Sequence, residues 1–193
     1  MSLDPTKSIE VKHLIDSFDE AISQYILQDV PRWEEIVKSS KGVAFEYYWR
    51  TRQEFRSLIR FRMTKAEKKF SLESSITNKL TRLVGSHSWL YVSNLFISCD
   101  EIGPGFYIEH GFSTVIYAKE RGKNFWVNQN VTIGSGKGGC PVIGDDVSVS
   151  AHGLVFGGIN VASGVTVGAG AILNFEVPEG STVVMQKSRV ILK

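Results

Sequence analysis

The chain has 193 residues, 42% of them hydrophobic, with 22 basic against 20 acidic side chains and a formal charge of +2. That length accommodates one large or two small domains with a real core, and the near-neutral balance identifies no partner by itself. Two cysteines, Cys99 and Cys140, indicate no disulfide framework, and no apolar run of about 18 residues offers a membrane-spanning helix. The opening residues Met1-Ser-Leu-Asp-Pro-Thr-Lys7 hold no apolar core of the kind a secretory signal needs, so a cytoplasmic location is expected. Without a secretory route, the sequon Asn130-Val-Thr132 reads as a polar turn.

The first half reads as helical. Leu14, Phe18, Ile22 and Tyr25 recur at spacings of four and three, which predicts one amphipathic helix over roughly residues 8–28, ended by Asp29-Val-Pro31. Pro31 suits the first turn of a second helix through Trp33, Ile36 and Val37, with Ser39, Ser40 and Gly42 closing it. A third helix carries Phe45, Tyr48, Phe55, Ile59 and Met63 on its apolar side and Arg52, Arg56 and Arg60 on another. A fourth carries Ile76, Leu80 and Leu83 and stops at Gly85. Residues 50–69 hold eight basic side chains against Glu54 and Glu67. The expectation is a solvated face, with arginine stems partly buried in an oligomer. An anionic membrane surface is the competing use, and nucleic-acid binding is not expected.

Near residue 95 the periodicity changes. Six consecutive hexads fill residues 143–178, opening with Ile143, Val149, Val155, Val161, Val167 and Leu173, and holding Val147, Gly153, Ile159, Val165, Ala171 and Val177 at the fifth place. A helix repeats apolar residues every three or four positions and a half-buried strand every two, so a strict six predicts a triangular parallel β-helix with residues 18 apart stacked. Hexads also open at Ile102 and Ile108, and regularity returns at Phe125 and Val131. Two interruptions stand out. Ala118–Asn124 reads as a turn or excursion, and Gly134-Ser-Gly-Lys-Gly-Gly-Cys140 as a loop, because Lys137 cannot fill an interior corner. The expected class is α+β, segregated: a helical domain over 1–94, a left-handed β-helix over 95–180 and a tail over 181–193.

The segment Ile102-Gly-Pro-Gly-Phe-Tyr-Ile-Glu-His110-Gly resembles the active-site coil of the hexapeptide-repeat acyltransferases, in their serine acetyltransferase-like branch with its polysaccharide O-acetyltransferase relatives. The resemblance continues through Val131-Thr-Ile-Gly-Ser-Gly-Lys, Pro141-Val-Ile-Gly, Val167-Gly-Ala-Gly-Ala and Val177-Pro to Arg189, and so spans roughly residues 95–190. It implies an acetyl-CoA-dependent O-acetyltransferase that passes acetyl directly to a serine or sugar hydroxyl, with His110 as general base. Imidazoles titrate close enough to neutrality to suit that work. Glu109 matches the acidic neighbour of that histidine. The carboxylate that orients the base in the family falls here at Leu95, which leaves Asp100 or Glu101 to supply the role after a shift. Where serine acetyltransferases carry a histidine before the re-entry proline, this chain has Cys140-Pro141 in a loop four residues shorter, so Cys140 and Asp100 are the acceptor-pocket candidates and serine is weakened as substrate.

The same resemblance implies that the pantetheine arm of acetyl-CoA runs past small residues one coil apart, here Ala151 and Ala169, and that Lys137, Lys187 and Arg189 meet the nucleotide phosphates. It further implies a homotrimer, with pairing of trimers left open. A catalytically silent scaffold is the competing class. Gly136-Lys137 is not a phosphate-binding P-loop, since Val131 stands at the first glycine position and Gly138 at the Ser/Thr position. No Cys or His spacing suggests a metal, and His13, His87 and His152 receive no role.

Overall fold

A computed structural model of the chain describes residues 5–37, 44–71, 76–84, 92 and 94–186. The chain divides into two compact units, Met1–Ser93 with Pro104–His110, and Asn94–Gly103 with Gly111–Lys193.

The first unit is helical: α1 Pro5–Asp16, α2 Glu20–Leu27, α3 Val30–Val37, α4 Ala44–Thr51, α5 Gln53–Lys69 and α6 Ile76–Val84. The single helix expected over 8–28 is two. The Ser17 hydroxyl donates to the Leu14 carbonyl at 2.7 Å, a local bond that competes with helical continuation, and Asp19 is extended (ψ 150°) before α2 begins. The break moves the buried stripe to Val11, Ile15, Ile22 and Ile26. Pro31 lies in the first turn of α3 as expected, whereas Ser39, Ser40, Gly42 and Gly85 lie outside the described residues. The expected third helix is also two, separated at Arg52, whose backbone is extended (φ −122°, ψ 111°). Its apolar side is where the spacing put it, since Phe45, Tyr48, Phe55, Ile59 and Met63 are all buried.

Aromatic rings fill the middle of this unit. Trp33 packs against Phe55 at 5.2 Å and Tyr107 at 4.6 Å between centroids, and the Tyr48 hydroxyl donates to the Trp33 carbonyl at 3.1 Å. Each such side chain contributes roughly 1.5–3 kcal/mol on burial. The solvated basic face needs correction. Arg60 is exposed, but Arg56 is buried with its guanidinium on the Trp49 carbonyl at 2.5 Å, and Arg62 is sealed in the core against Asp29. These arginines are inside because their turns of α5 face α2 and α4 and because each finds an acceptor there. Strand β3, Tyr107–Ile108, completes the unit.

The second unit is a parallel solenoid, and the fold as a whole is helices followed by a left-handed β-helix of about five turns. One face is ordered Leu95–Ser98 (β1), Thr114–Tyr117 (β4), Thr132–Gly134 (β7), Leu154–Phe156 (β10) and Ile172–Leu173 (β13). A second holds Glu101–Ile102 (β2), Glu120–Arg121 (β5), Val142–Ile143 (β8) and Asn160–Val161 (β11), and a third Trp126–Val127 (β6), Ser148–Val149 (β9), Thr166–Val167 (β12) and Thr182–Val183 (β14). Among the described residues these strands pair in parallel. The hexad openers Val155 and Leu173 continue an interior stack of register partners Ile97, Ile116 and Ile133, and Val149 and Val167 stand in a second stack between Val127 and Val183. The fifth-place residues Val147, Val165 and Ala171 are buried beside them.

Corners are built from residues that tolerate positive φ. Asn124, Asp146, Gly164 and Gly180 repeat at one corner, each of the last three donating its N–H to the coil before, at Lys123, Asp145 and Ser163. Asn, Asp and Gly enter that conformation at the lowest cost. The segment read as an excursion is not one beyond its turn. Glu120–Arg121 is a regular strand, and Arg121 stands in the interior stack between Ile102 and Ile143. Its guanidinium donates to Cys99 Sγ at 3.2 Å and to the Ile116 carbonyl at 3.4 Å. By contrast 135–140 leaves the coil as expected. Gly136 and Gly139 exchange backbone hydrogen bonds with Lys137 exposed between them, and the Lys137 carbonyl accepts from Gly158 N at 3.0 Å. Gly158 permits this seat: a Cβ there would stand 2.1 Å from the Gly138 carbonyl oxygen.

Candidate active site

Glu109 and His110 follow β3 in the helical unit. His110 is exposed and adopts φ +55°, uncommon for a residue with a Cβ and a source of local strain where surrounding structure imposes it. Upstream of it, the chain is tied to the helices by one run of hydrogen bonds. Phe106 N donates to Asp29 Oδ1 at 2.8 Å, and the Phe106 carbonyl accepts from Trp33 Nε1 at 3.0 Å. Asp29 in turn receives Arg62 Nε on Oδ2 at 2.7 Å and Arg62 Nη2 on Oδ1 at 2.9 Å, a bidentate pair with both side chains at 0% exposure. Burial raises the Asp29 carboxyl above its ordinary value, while the bonds from Arg62 and Phe106 pull it down.

A 240 Å³ cavity opens at this place, with Trp33, Arg52 and Glu54 joining Tyr107, Glu109 and His110 in its walls. Burial pushes the Tyr107 hydroxyl above its usual value, Glu109 adds to the rise and Arg52 opposes it. The cavity thus holds an imidazole, two carboxylates, a guanidinium and a phenol. Of these, sequence reasoning identified Glu109 and His110. It read Arg52 as part of a basic face that Glu54 opposes, Trp33 as a residue of the second helix, and Tyr107 only as a member of the active-site coil. The break at Arg52 that turns it toward this cavity leaves no mark in the apolar spacing.

In the solenoid unit the two acceptor candidates, Asp100 and Cys140, line one 390 Å³ cavity together with Cys99, Tyr117 and Lys119. Asp100 and Tyr117 are exposed and Cys140 is half-buried. The Cys140 thiol, through its hydrogen bond and then its charge, pushes the Tyr117 hydroxyl above its usual value. Tyr117 was not anticipated. It ends β4 and points outward, a position that hexad reading leaves undefined.

Ala151 and Ala169 do stack. Gly170 N donates to the Ala151 carbonyl at 3.0 Å, in the same 18-residue register that pairs Leu154 with Ile172. Ala151 is half-buried and Ala169 exposed, and His152 (φ +60°) and Gly170 (φ +69°) form the adjoining corner. Lys137 is exposed at the tip of its loop, and Lys187 and Arg189 lie outside the described residues. Among the described residues, no three His, Cys, Asp or Glu side chains group so as to hold a metal ion, and no helix is long and apolar enough to cross a membrane.

Helices followed by a solenoid of six-residue register, with a histidine at a corner, make this chain similar to the hexapeptide-repeat acyltransferases of the serine acetyltransferase-like branch. Among named relatives, serine acetyltransferase of Bacillus licheniformis is 40% identical over 99 residues, 48% of this chain and 45% of that protein. A protein of Escherichia coli described as a colanic acid biosynthesis acetyltransferase, WcaB, is 38% identical over 94 residues, covering 46% and 57%. The chain therefore spans about half the length of the curated relatives it matches. Neisseria gonorrhoeae serine acetyltransferase, solved in complex with serine, superposes with a TM-score of 0.62 at 21% identity, over 92% of this chain and 72% of that one, a likeness of fold. No family model matches the chain.

Proposed function

We propose that the chain is an acetyl-CoA-dependent O-acetyltransferase in which His110 removes the proton of an acceptor hydroxyl. The oxygen attacks the thioester carbonyl, and the imidazolium returns the proton to the departing CoA thiolate, so no acyl-enzyme forms. The observation that carries this reading is the held, exposed imidazole at φ +55° in a cavity with Glu109, Arg52 and Glu54. Glu109 acts on the acceptor side. The cavity of Asp100 and Cys140 is a second acceptor-contact surface, and Ala151 and Ala169 flank the pantetheine arm, with Lys137, Lys187 and Arg189 toward the nucleotide.

The acceptor is a sugar hydroxyl or serine; the relatives' names include both serine acetyltransferase and a polysaccharide-pathway acetyltransferase. The functional form is a homotrimer. An outward column supports assembly, since Phe96, Val115, Thr132, Leu154 and Ile172 are register partners across one solenoid face, and Phe96 and Ile172 are 56% and 53% exposed. The test is CoA-thiol release from acetyl-CoA with L-serine, glucose, galactose or N-acetylglucosamine, beside His110→Asn. Asn tolerates positive φ, so the variant removes the base without disturbing the backbone, and its turnover should fall by about 10²–10⁴. Release that persists in His110→Asn, or CoA binding with no release for any acceptor, sinks the reading.

A further inference from the structure

We propose that Asp29, clamped by Arg62, is a positioning residue for His110: together with Trp33 it fixes the backbone from which the imidazole projects. This rests on the acyl-transfer reading above. Both polar groups of a single residue, Phe106, are taken by the helical core. Its N–H goes to Asp29 and its carbonyl to the indole of Trp33. The two bonds leave residue 106 no rotation about φ or ψ that preserves both. β3 follows at once, and His110 lies four residues on, at φ +55°.

The chemistry of the clamp argues for placement beyond bulk stability. A bidentate ion pair at full burial is often no more stabilising than an apolar pair of equal volume. What it adds is direction, because an arginine fork donates to a carboxylate in one plane. Here Nη2 of Arg62 and N of Phe106 meet on the same oxygen, Oδ1, so the guanidinium orients the acceptor that holds the segment. Trp33 and Tyr107 pack at 4.6 Å on the flank of the same cavity, which makes the indole both donor and wall. A displacement of about 1 Å at a catalytic group is enough to cost roughly a hundredfold in rate.

The experiment compares Asp29→Ala, Asp29→Asn and Trp33→Phe with wild type and His110→Asn. Hydrogen exchange is read by mass spectrometry over residues 104–110, kcat and KM from acetyl-CoA with L-serine and the three sugars, and CoA affinity by calorimetry. Trp33→Phe keeps the ring and loses the donor, so it covers the case in which Asp29→Ala does not fold. The expected result is faster exchange over 104–110, kcat down about a hundredfold, and KM for both substrates and CoA affinity within about twofold. Asp29→Asn, which keeps an oxygen for Phe106 N, should fall between Ala and wild type. Unchanged exchange, or unchanged kcat in Trp33→Phe while His110→Asn is inactive, overturns the positioning role and leaves the acyl-transfer reading standing. A loss confined to acceptor KM also overturns it, by making Trp33 a substrate contact. Turnover that survives in His110→Asn overturns both.

Discussion

Replacing Arg62 by methionine should be among the most damaging single changes in the helical unit. Both partners of the pair have 0% side-chain exposure and are joined at 2.7 and 2.9 Å, so Met leaves the Asp29 carboxylate buried without its cation, a cost of about 3–5 kcal/mol. That is a large share of the roughly 5–15 kcal/mol that holds a domain folded, and at about 2–4 °C per kcal/mol for a chain of this size it lowers Tm by about 6–20 °C. Urea unfolding followed by circular dichroism and by the fluorescence of buried Trp33 and Trp49 measures it. The pH dependence has a definite sign. Burial already raises the Asp29 carboxyl in the folded state, and loss of the cation raises it further. A raised folded pKa means that the folded state holds the proton more tightly than the unfolded chain, so stability is regained as pH falls through it. The gap between Arg62→Met and wild type should narrow in acid. In Asp29→Leu with Arg62→Met the charge penalty is gone, leaving about 1–3 kcal/mol for each backbone N–H of Gly105 and Phe106 that loses its acceptor. A single variant within about 1 kcal/mol of wild type at neutral pH, or a gap that widens in acid, would refute the argument.

In the solenoid, Val149→Ala removes two methyl groups from a fully buried stack and should cost about 1.5–3 kcal/mol, seen as a lower urea midpoint; a neutral result would mean that the stack repacks. Leu154→Glu places a charge in the outward column between Thr132 and Ile172, and sedimentation should show dissociation to a smaller species; an unchanged assembly removes this face from the interface. Cys140→Ala removes the group that raises Tyr117, so ultraviolet titration of that phenol should shift to lower pH, and an unmoved curve means that the two side chains are not in contact in solution.

The solenoid was legible because its constraint is local and repeated. Each coil needs a small or branched apolar residue at the same two of six positions, and Ile143 through Leu173 supply them without exception. Where a single position broke that rule the reading broke with it. Arg121 fills an interior slot, and a guanidinium that meets a thiol, a carbonyl and the face of Phe125 there leaves no periodic trace, so its strand reads as a departure. The helices were legible as helices but not in their joints. Ser17 and Arg52 interrupt them through one side-chain bond and one extended residue, features that apolar spacing does not register.

The candidate site was legible only along the chain, as Glu109 and His110 beside each other in a recognisable coil. The residues that join them come from elsewhere. Asp29 is distant by 77 positions from the Phe106 amide that it holds, and Trp33 by 73 from the carbonyl that it binds. In the sequence Asp29 looks like a helix stop before Pro31, and Arg62 like one more cation in a basic run. Their pairing is set by which turn of α5 faces the end of α2, which spacing along the chain does not specify. A basic run on one helix and a helix stop on another give no sign that they meet, so what stayed hidden in the sequence was the pair behind Phe106 rather than His110 itself.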